Sequence, residues 1–278
     1  MVNHKNLVNI FLLLVMKTKP SENIYLLKHI RDYTIIHIIY HINMTNTSTS
    51  TTTFICEYTI MPEFSTRDSC MTLFGGMTPT DDLNELGNVN LLGRWSCVGE
   101  GRGYCIAQAS TVVDMQKWLN GWISMANIKV WPCLDDNQQR ELILGKEPDF
   151  KVEYNNVSDA PRENESLYFI NYKFRKLHRQ EGFSAFAEMS REMDQADSGK
   201  CTCYGRWHVP SEGSGVAIAS SPSAFDIYKW AYNWDELCVC KISPVTRDQD
   251  TRSIIQNGLG FKVKHSALME QVKELKNA

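Results

Sequence analysis

The sequence lacks what nucleic acid and membranes demand. Its 29 Lys and Arg face 32 Asp and Glu, a net charge of −3, so there is no basic excess to meet a phosphate backbone. No apolar run approaches the roughly 20 residues that span a bilayer; Leu7–Met16 and Tyr33–Ile42 stop well short. Leu7–Met16 is followed by Lys17-Thr18-Lys19-Pro20 and no small-residue cleavage site, so a secretory signal is not expected. Disulfide spacing is missing too. The nine cysteines are odd in number and sit in apolar or alternating runs such as Cys238-Val239-Cys240, which reads as buried free thiols in a reducing, cytoplasmic setting. The pairs Cys201/Cys203 and Cys238/Cys240 lack the two-residue spacer of a zinc knuckle, and no metal site is expected. Gly99-Glu100-Gly101-Arg102-Gly103 lies between two strand patterns and not before a helix, which excludes a dinucleotide loop.

What the chain does contain is a duplication. Gly93-Arg94-Trp95, Trp118, Trp122, Pro132 and Asp136 return as Gly205-Arg206-Trp207, Trp230, Trp234, Pro244 and Asp248, every pair at an offset of 112 residues (93 to 205, 118 to 230, 136 to 248). Rare residues holding one offset without a gap mark an internal repeat. Residues 1–53 precede it. They are read as a leader, disordered or not native, with Met44 the expected start.

Each copy has the same expected order. Phe54–Ile60 alternates β-branched and aromatic residues and reads as a strand; its twin is Tyr168–Phe174. A helix carries Met71 and Phe74 in one copy, Phe183 and Phe186 in the other. Hairpins follow, Leu91–Val98 with Tyr104–Ala109, and Cys203–Val209 with Val216–Ser220, turned by glycines. Thr111–Asp114 and Ser223–Asp226 are capping boxes opening helices that place Trp118 with Trp122, and Trp230 with Trp234, on one face. Ile128–Pro132 and Cys240–Pro244 read as last strands ending at proline.

Strand, helix, strand, strand, helix, strand, twice, is a ferredoxin-like arrangement. The fold class is therefore α+β: repeats over 54–136 and 167–248, a polar linker over 137–166, and a tail over 249–278 with an amphipathic helix near Ser266–Lys276. One copy alone would leave a bare sheet face and open edges. The two are expected to cover each other as a pseudo-dimeric α/β barrel.

Gly205-Arg206-Trp207-His208, Gly213, Gly215, Trp230 to Trp234-Asp235 and Ser243-Pro244-Val245 resemble the signature of small single-copy bacterial proteins classified only as a domain of unknown function. That family is assigned to the dimeric α/β-barrel superfamily, which includes oxygenases acting on haem or aromatic compounds. The resemblance implies the fold and leaves the reaction and any cofactor unknown. Ser96 stands where the second copy has His208, so only the second half would be competent. His208 and Asp235 are the candidate catalytic residues. Strand alternation puts Arg206 and His208 on one face and Trp207 on the other. Arg94, Arg206, Trp95 and Trp207 are the candidate ligand-binding residues, the guanidinium groups suiting an anion if they face the space between the copies. The expected function is binding of a small apolar or aromatic molecule between the sheets, of oxygenase or isomerase type; the alternative is a non-catalytic protein that self-associates as a homo-oligomer.

Overall fold

A computed structural model describes residues 51–153, 161–258 and 260–277. The expected leader lies outside them as far as residue 50.

The first half runs β1 (Thr52–Ile60), α1 (Phe64–Gly76), α2 (Pro79–Leu86), β2 (Asn90–Cys97), β3 (Arg102–Ala109), α3 (Val112–Asn120) and β4 (Ala126–Asp135), and passes into α4 (Asp136–Leu144). The second half repeats this as β5 (Ser166–Phe174), α5 (Arg179–Glu188), α6 (Arg191–Ser198), β6 (Thr202–Val209), β7 (Ser214–Ser221), α7 (Ala224–Tyr232), β8 (Cys238–Pro244), β9 (Thr246–Arg247) and α8 (Asp248–Gln256). A last helix, α9 (Phe261–Asn277), packs on α1. It is longer than the expected tail helix; Leu268 on it is half-buried, and the side chains of Val272 and Leu275 lie outside the described residues.

Each half is an antiparallel four-stranded sheet, β4-β1-β3-β2 and β8-β5-β7-β6. Half of each expected capping box forms: Thr111 accepts from the Asp114 amide and Ser223 from the Asp226 amide, satisfying donors that a helix start leaves free, while the Asp carboxylates accept from the cap hydroxyls and not from the backbone. The hairpins turn through Gly101 and Gly213, both at φ +65°, a left-handed conformation that other residues adopt only with strain.

Of the two expected last strands, β8 ends at Pro244 as expected and the first ends too early. Proline does not stop β4: Pro132 pairs with Phe54, and the strand continues to Asp135. Those extra residues join the halves. Leu134 and Asp135 pair with His208 and Trp207; at the equivalent corner Thr246 and Arg247 pair with Ser96 and Trp95. Both seams are two residue pairs long, so the two sheets are stitched at two corners and do not close into a barrel.

Between the sheets lies a shared core of Ile55, Trp95, Tyr104, Ile106, Phe169, Trp207 and Ile218. Tyr104 from one sheet stacks on Phe169 from the other, centroids 3.7 Å apart and planes at 6°. The Gly-Arg-Trp motif serves this core. Positions two apart share a strand face, and the Trp207 indole lies back over Gly205, where a methyl group would overlap it; Trp95 does the same over Gly93. On the outer faces, helices cover two separate cores, one around Met115 and Trp118 and one around Ile227 and Trp230.

The segments beyond the seams change places. Helix α4, which ends the first half, packs on α5 and β6 of the second; α8, which ends the second, packs on α1 and β2 of the first. The stretch expected as a polar linker thus opens with a helix that belongs to the other half's packing.

Candidate functional site

Because Trp207 points between the sheets, its strand neighbours Arg206 and His208 point the other way, under the helices. Both are buried. The crossing helix α4 delivers Asp136 to them from its first turn. His208 Nε2 donates to Asp136 Oδ1 at 2.6 Å, and Arg206 Nε donates to Asp136 Oδ2 at 2.9 Å. The other edge of the Arg206 guanidinium takes Asp194 of α6 with two bonds of 2.8 Å, the fork geometry that suits arginine to carboxylates. On the far side of the imidazole, Nδ1 bonds the Tyr172 hydroxyl from β5. One connected line therefore runs Tyr172, His208, Asp136, Arg206, Asp194.

The first half shows what this line does without histidine. Arg94 donates to Asp248 of the crossing α8 with two bonds of 2.7 Å and to Asp82 of α2 at 3.1 Å. Tyr58, the equivalent of Tyr172, bonds Ser96 at 2.8 Å. A second arginine from each crossing helix completes the arrangement. Arg252 donates to the carbonyls of Phe74 and Met77 at 2.8 and 2.7 Å, and Arg140 to those of Ala187 and Met189 at 3.2 and 2.9 Å. These carbonyls end α1 and α5, where a helix leaves acceptors without partners. Carboxylate, two arginines and the phenyl ring beneath them, Phe74 in the first half and Phe186 in the second, are thus common to both halves and tie the exchanged helices in place. The imidazole is peculiar to the second.

His208 borders a cavity of ≈ 80 Å³ between sheet and helices. Phe174, Phe183, Phe186, Trp230 and Trp234 give it aromatic walls, and Tyr172, His208 and Arg206 form its polar side. A single water needs roughly 10–15 Å³ measured this way, so the space suits a small molecule of several atoms. Both indoles are fixed from outside: Trp230 and Trp234 donate to one oxygen of Asp197 at 2.8 Å each. Trp234 lies just past the end of α7, not on it.

Electrostatics set the proton positions. Nε2 of His208 donates to the Asp136 carboxylate that Arg206 also holds, and Nδ1 then accepts from the Tyr172 hydroxyl. Burial, and next the charge of Asp136, raise the Tyr172 phenol well above its ordinary value. Tyr172 therefore rests protonated, as a proton donor, and can take a proton from a ligand only by passing its own to His208. With both ring nitrogens engaged, His208 has no lone pair for a metal. Among the described residues no group of three or more His, Cys, Asp or Glu could hold one. Cys238 and Cys240 line the same cavity, their sulfurs 3.6 Å apart.

The other expected residues are distributed differently. Asp235 is exposed and pairs with Arg175 at 3.3 Å; the turn after α7 carries it to the surface, away from His208. Arg94 and Arg206 face the helices, not the space between the sheets, and are neutralised by carboxylates of the same protein. Trp95 and Trp207 fill the inter-sheet core. Asp136, Asp194 and Tyr172 are site residues that the sequence reading does not single out. Asp136 and Asp248 carry a signal, as the last members of the 112-residue offset, but their role depends on the crossover.

A family model, Domain of unknown function (DUF3303), matches residues 52–146 and 166–259. No curated protein matches the chain in sequence. Among solved structures, a mutant chlorite dismutase from Candidatus Nitrospira defluvii, in complex with cyanide, is similar at 8% identity and TM-score 0.45, covering 75% of this chain and 96% of that one. A candidate monooxygenase from Lactobacillus acidophilus NCFM is similar at 12% identity and TM-score 0.41, covering 71% and 94%. Candidate chlorite dismutase TA0507 is similar at 9% identity and TM-score 0.42, covering 73% and 98%.

Proposed function

Since the chain belongs to the family of Domain of unknown function DUF3303, carried in two copies, we propose that its second copy is the working one, binding a small apolar or aromatic molecule under its helices and moving a proton on it. The observation that supports this is the contrast between Ser96 and His208. The first half shows that Arg, Asp and Tyr are enough to hold a crossing helix, so folding does not require the imidazole. His208 adds a ring that can give a proton at one nitrogen and take one at the other, set between a phenol and a carboxylate and facing an aromatic cavity.

Tyr172 would be the residue in contact with the ligand, His208 the store for its proton, and Asp136 the group that holds the imidazole in one tautomer and stabilises its charged form. Isomerisation needs this pair of steps, removal of a proton from one atom and return to another. Oxidation of an ionisable aromatic would use the first. No described helix is long and apolar enough to cross a membrane, and a cytoplasmic location is part of this reading.

Hydrogen exchange at a carbon acid is the direct test. Acetophenone in D2O with the protein should exchange its methyl hydrogens for deuterium at least about tenfold faster than in buffer, as followed by NMR. His208→Ser should remove the acceleration. Equal rates with and without the protein, across a panel of small enolisable aromatic ketones, would remove proton transfer as the function.

One observation favours self-association as a second reading. Phe225, Tyr228 and Tyr232 lie three and four apart on α7 and are 74%, 60% and 77% exposed, an aromatic stripe of the kind that marks contact surfaces. Sedimentation velocity over a concentration series distinguishes them: a dimer abolished by replacing all three with serine supports the second reading, a monomer throughout removes it.

A further inference from the structure

The inner faces of the two sheets do not stay together along their whole length. Along β5, Leu167 and Phe169 are buried, Asn171 is half-buried and Lys173 is exposed; along β1, Ile55 is buried, Glu57 half-buried and Thr59 exposed. These residues alternate with outer ones and all point inward. Their common gradient means that the sheets pack at one end and part at the other.

The two sides of this gap are built from equivalent residues and end differently. On the side of the first hairpin, Arg102 lies across it, donating to Ser243 Oγ at 2.9 Å and to the Tyr104 hydroxyl, and pairing with Glu100. On the other side, 112 residues on, Ser214 replaces Arg102 and Val216 replaces Tyr104. The volume that an arginine and a tyrosine occupy on one side is empty on the other, where a cavity of ≈ 570 Å³ opens. The first half folds with a plug at this place, and the second has none.

Charge in the cavity runs against that of the chain. Lys173, Lys176 and Lys241 line it, and among the described residues none of the three is in an ion pair. Arg175 is matched by Asp235 and Glu57 stands 4.0 Å from Lys129. Glu212 remains, taken up by the Trp131 indole at 2.9 Å. Deeper in, Tyr104, Trp131, Val209 and Val216 supply apolar surface.

We propose that this gap is a binding site for a small organic anion, a carboxylate carried on a flat apolar ring. The ring lies against Trp131, Tyr104 and Val216, and the carboxylate meets Lys173 and Lys241 at the open end. Aromatic walls with few charged groups at one end are how pockets fix the orientation of such ligands. The site lies across β5 from His208, with Tyr172 and Phe174 of that strand bordering both cavities.

Isothermal titration calorimetry of the whole chain with 2-naphthoate tests it. Saturable one-site binding is expected, with 2-naphthamide, of the same shape and no charge, about tenfold weaker and inorganic phosphate not competing. Ser214→Arg, which rebuilds the plug, should abolish binding with the thermal transition retained. Exposed Lys173 and Lys241 give a second route if that variant fails to fold: the double alanine variant should bind about fivefold more weakly. His208→Ser should bind as the parent does, while Arg102→Ser should raise the stoichiometry toward two. Absence of saturable binding, equal affinity for the amide, competition by phosphate alone, binding that survives in folded Ser214→Arg, or loss of binding in His208→Ser would each overturn the proposal.

Discussion

The carboxylate of Asp136, at the start of the helix that leaves the first half, lies 2.6 Å from Nε2 of His208 in the second. Asp248 makes the reciprocal journey and meets Arg94, with Ser96 two positions along that strand. One pair of crossings thus fastens the halves together and, in one of them, sets a carboxylate against an imidazole.

The fastening predicts a large cost for the crossing carboxylates. Asp136→Ala leaves Arg206 buried with half of its partners gone, and loss of one side of such a pair costs about 3–5 kcal/mol. Asp248→Ala should cost a similar amount. His208→Ser, which copies the arrangement of Ser96 with Tyr58, should cost less, about 1–3 kcal/mol for lost bonds. Urea unfolding of the three variants measures the order, and equal costs for all three would contradict it.

Alkaline pH should unfold the protein through three enclosed phenols, those of Tyr58, Tyr104 and Tyr172. Burial raises Tyr58, Tyr104 and Tyr172 above the ordinary tyrosine value of 10.0. Their neutral forms are favoured by folding, so this stability is complete below about pH 10, where the unfolded chain also keeps its phenols protonated. It is lost as pH rises from there toward the folded values. Absorbance titration near 295 nm should show three of the 11 tyrosines ionising only with unfolding; if all ionise before the transition, their enclosure is refuted.

Thiol reactivity should be sharply unequal. Cys238 donates toward Cys240, which lowers the Cys240 thiol and raises that of Cys238. Burial pushes Cys203 up to about 12 and Cys70 up to about 11. Alkylation follows the thiolate, so iodoacetamide near neutral pH should modify Cys240 first. Peptide mass spectrometry over time reads the order, and initial labelling at Cys203 or Cys70 would contradict it.

Gly205→Ala tests the meaning of the Gly-Arg-Trp motif. The added methyl group overlaps the Trp207 indole, and overpacking of a filled core costs about 1–3 kcal/mol. Gly93→Ala should cost the same through Trp95. A truncated ring should relieve the strain, so Gly205→Ala made in a Trp207→Leu background should be nearly neutral by chemical denaturation. An undiminished cost there would assign the glycine to backbone conformation instead.

Much of this protein was legible in the amino acids alone, and for a local reason. The alternation in Tyr168–Phe174 and the hydroxyl caps at Thr111 and Ser223 act within a few residues of themselves and the 112-residue offset repeats them, so strand order and duplication are read in one dimension, while the added helices α2 and α6 are not. Faces were legible only in pairs: alternation separated Trp207 from Arg206 and His208, but which side met the helices depended on a sheet packing that no single strand contains. The crossover was hidden altogether. Pro132 suggested an ending, and only the pairing of Leu134 and Asp135 with the second half's β6 carries Asp136 to His208, 72 residues along the chain. Two residues so far apart are brought within a hydrogen bond by the burial of two bare sheets against each other, a gain that belongs to the folded whole and to no segment of it.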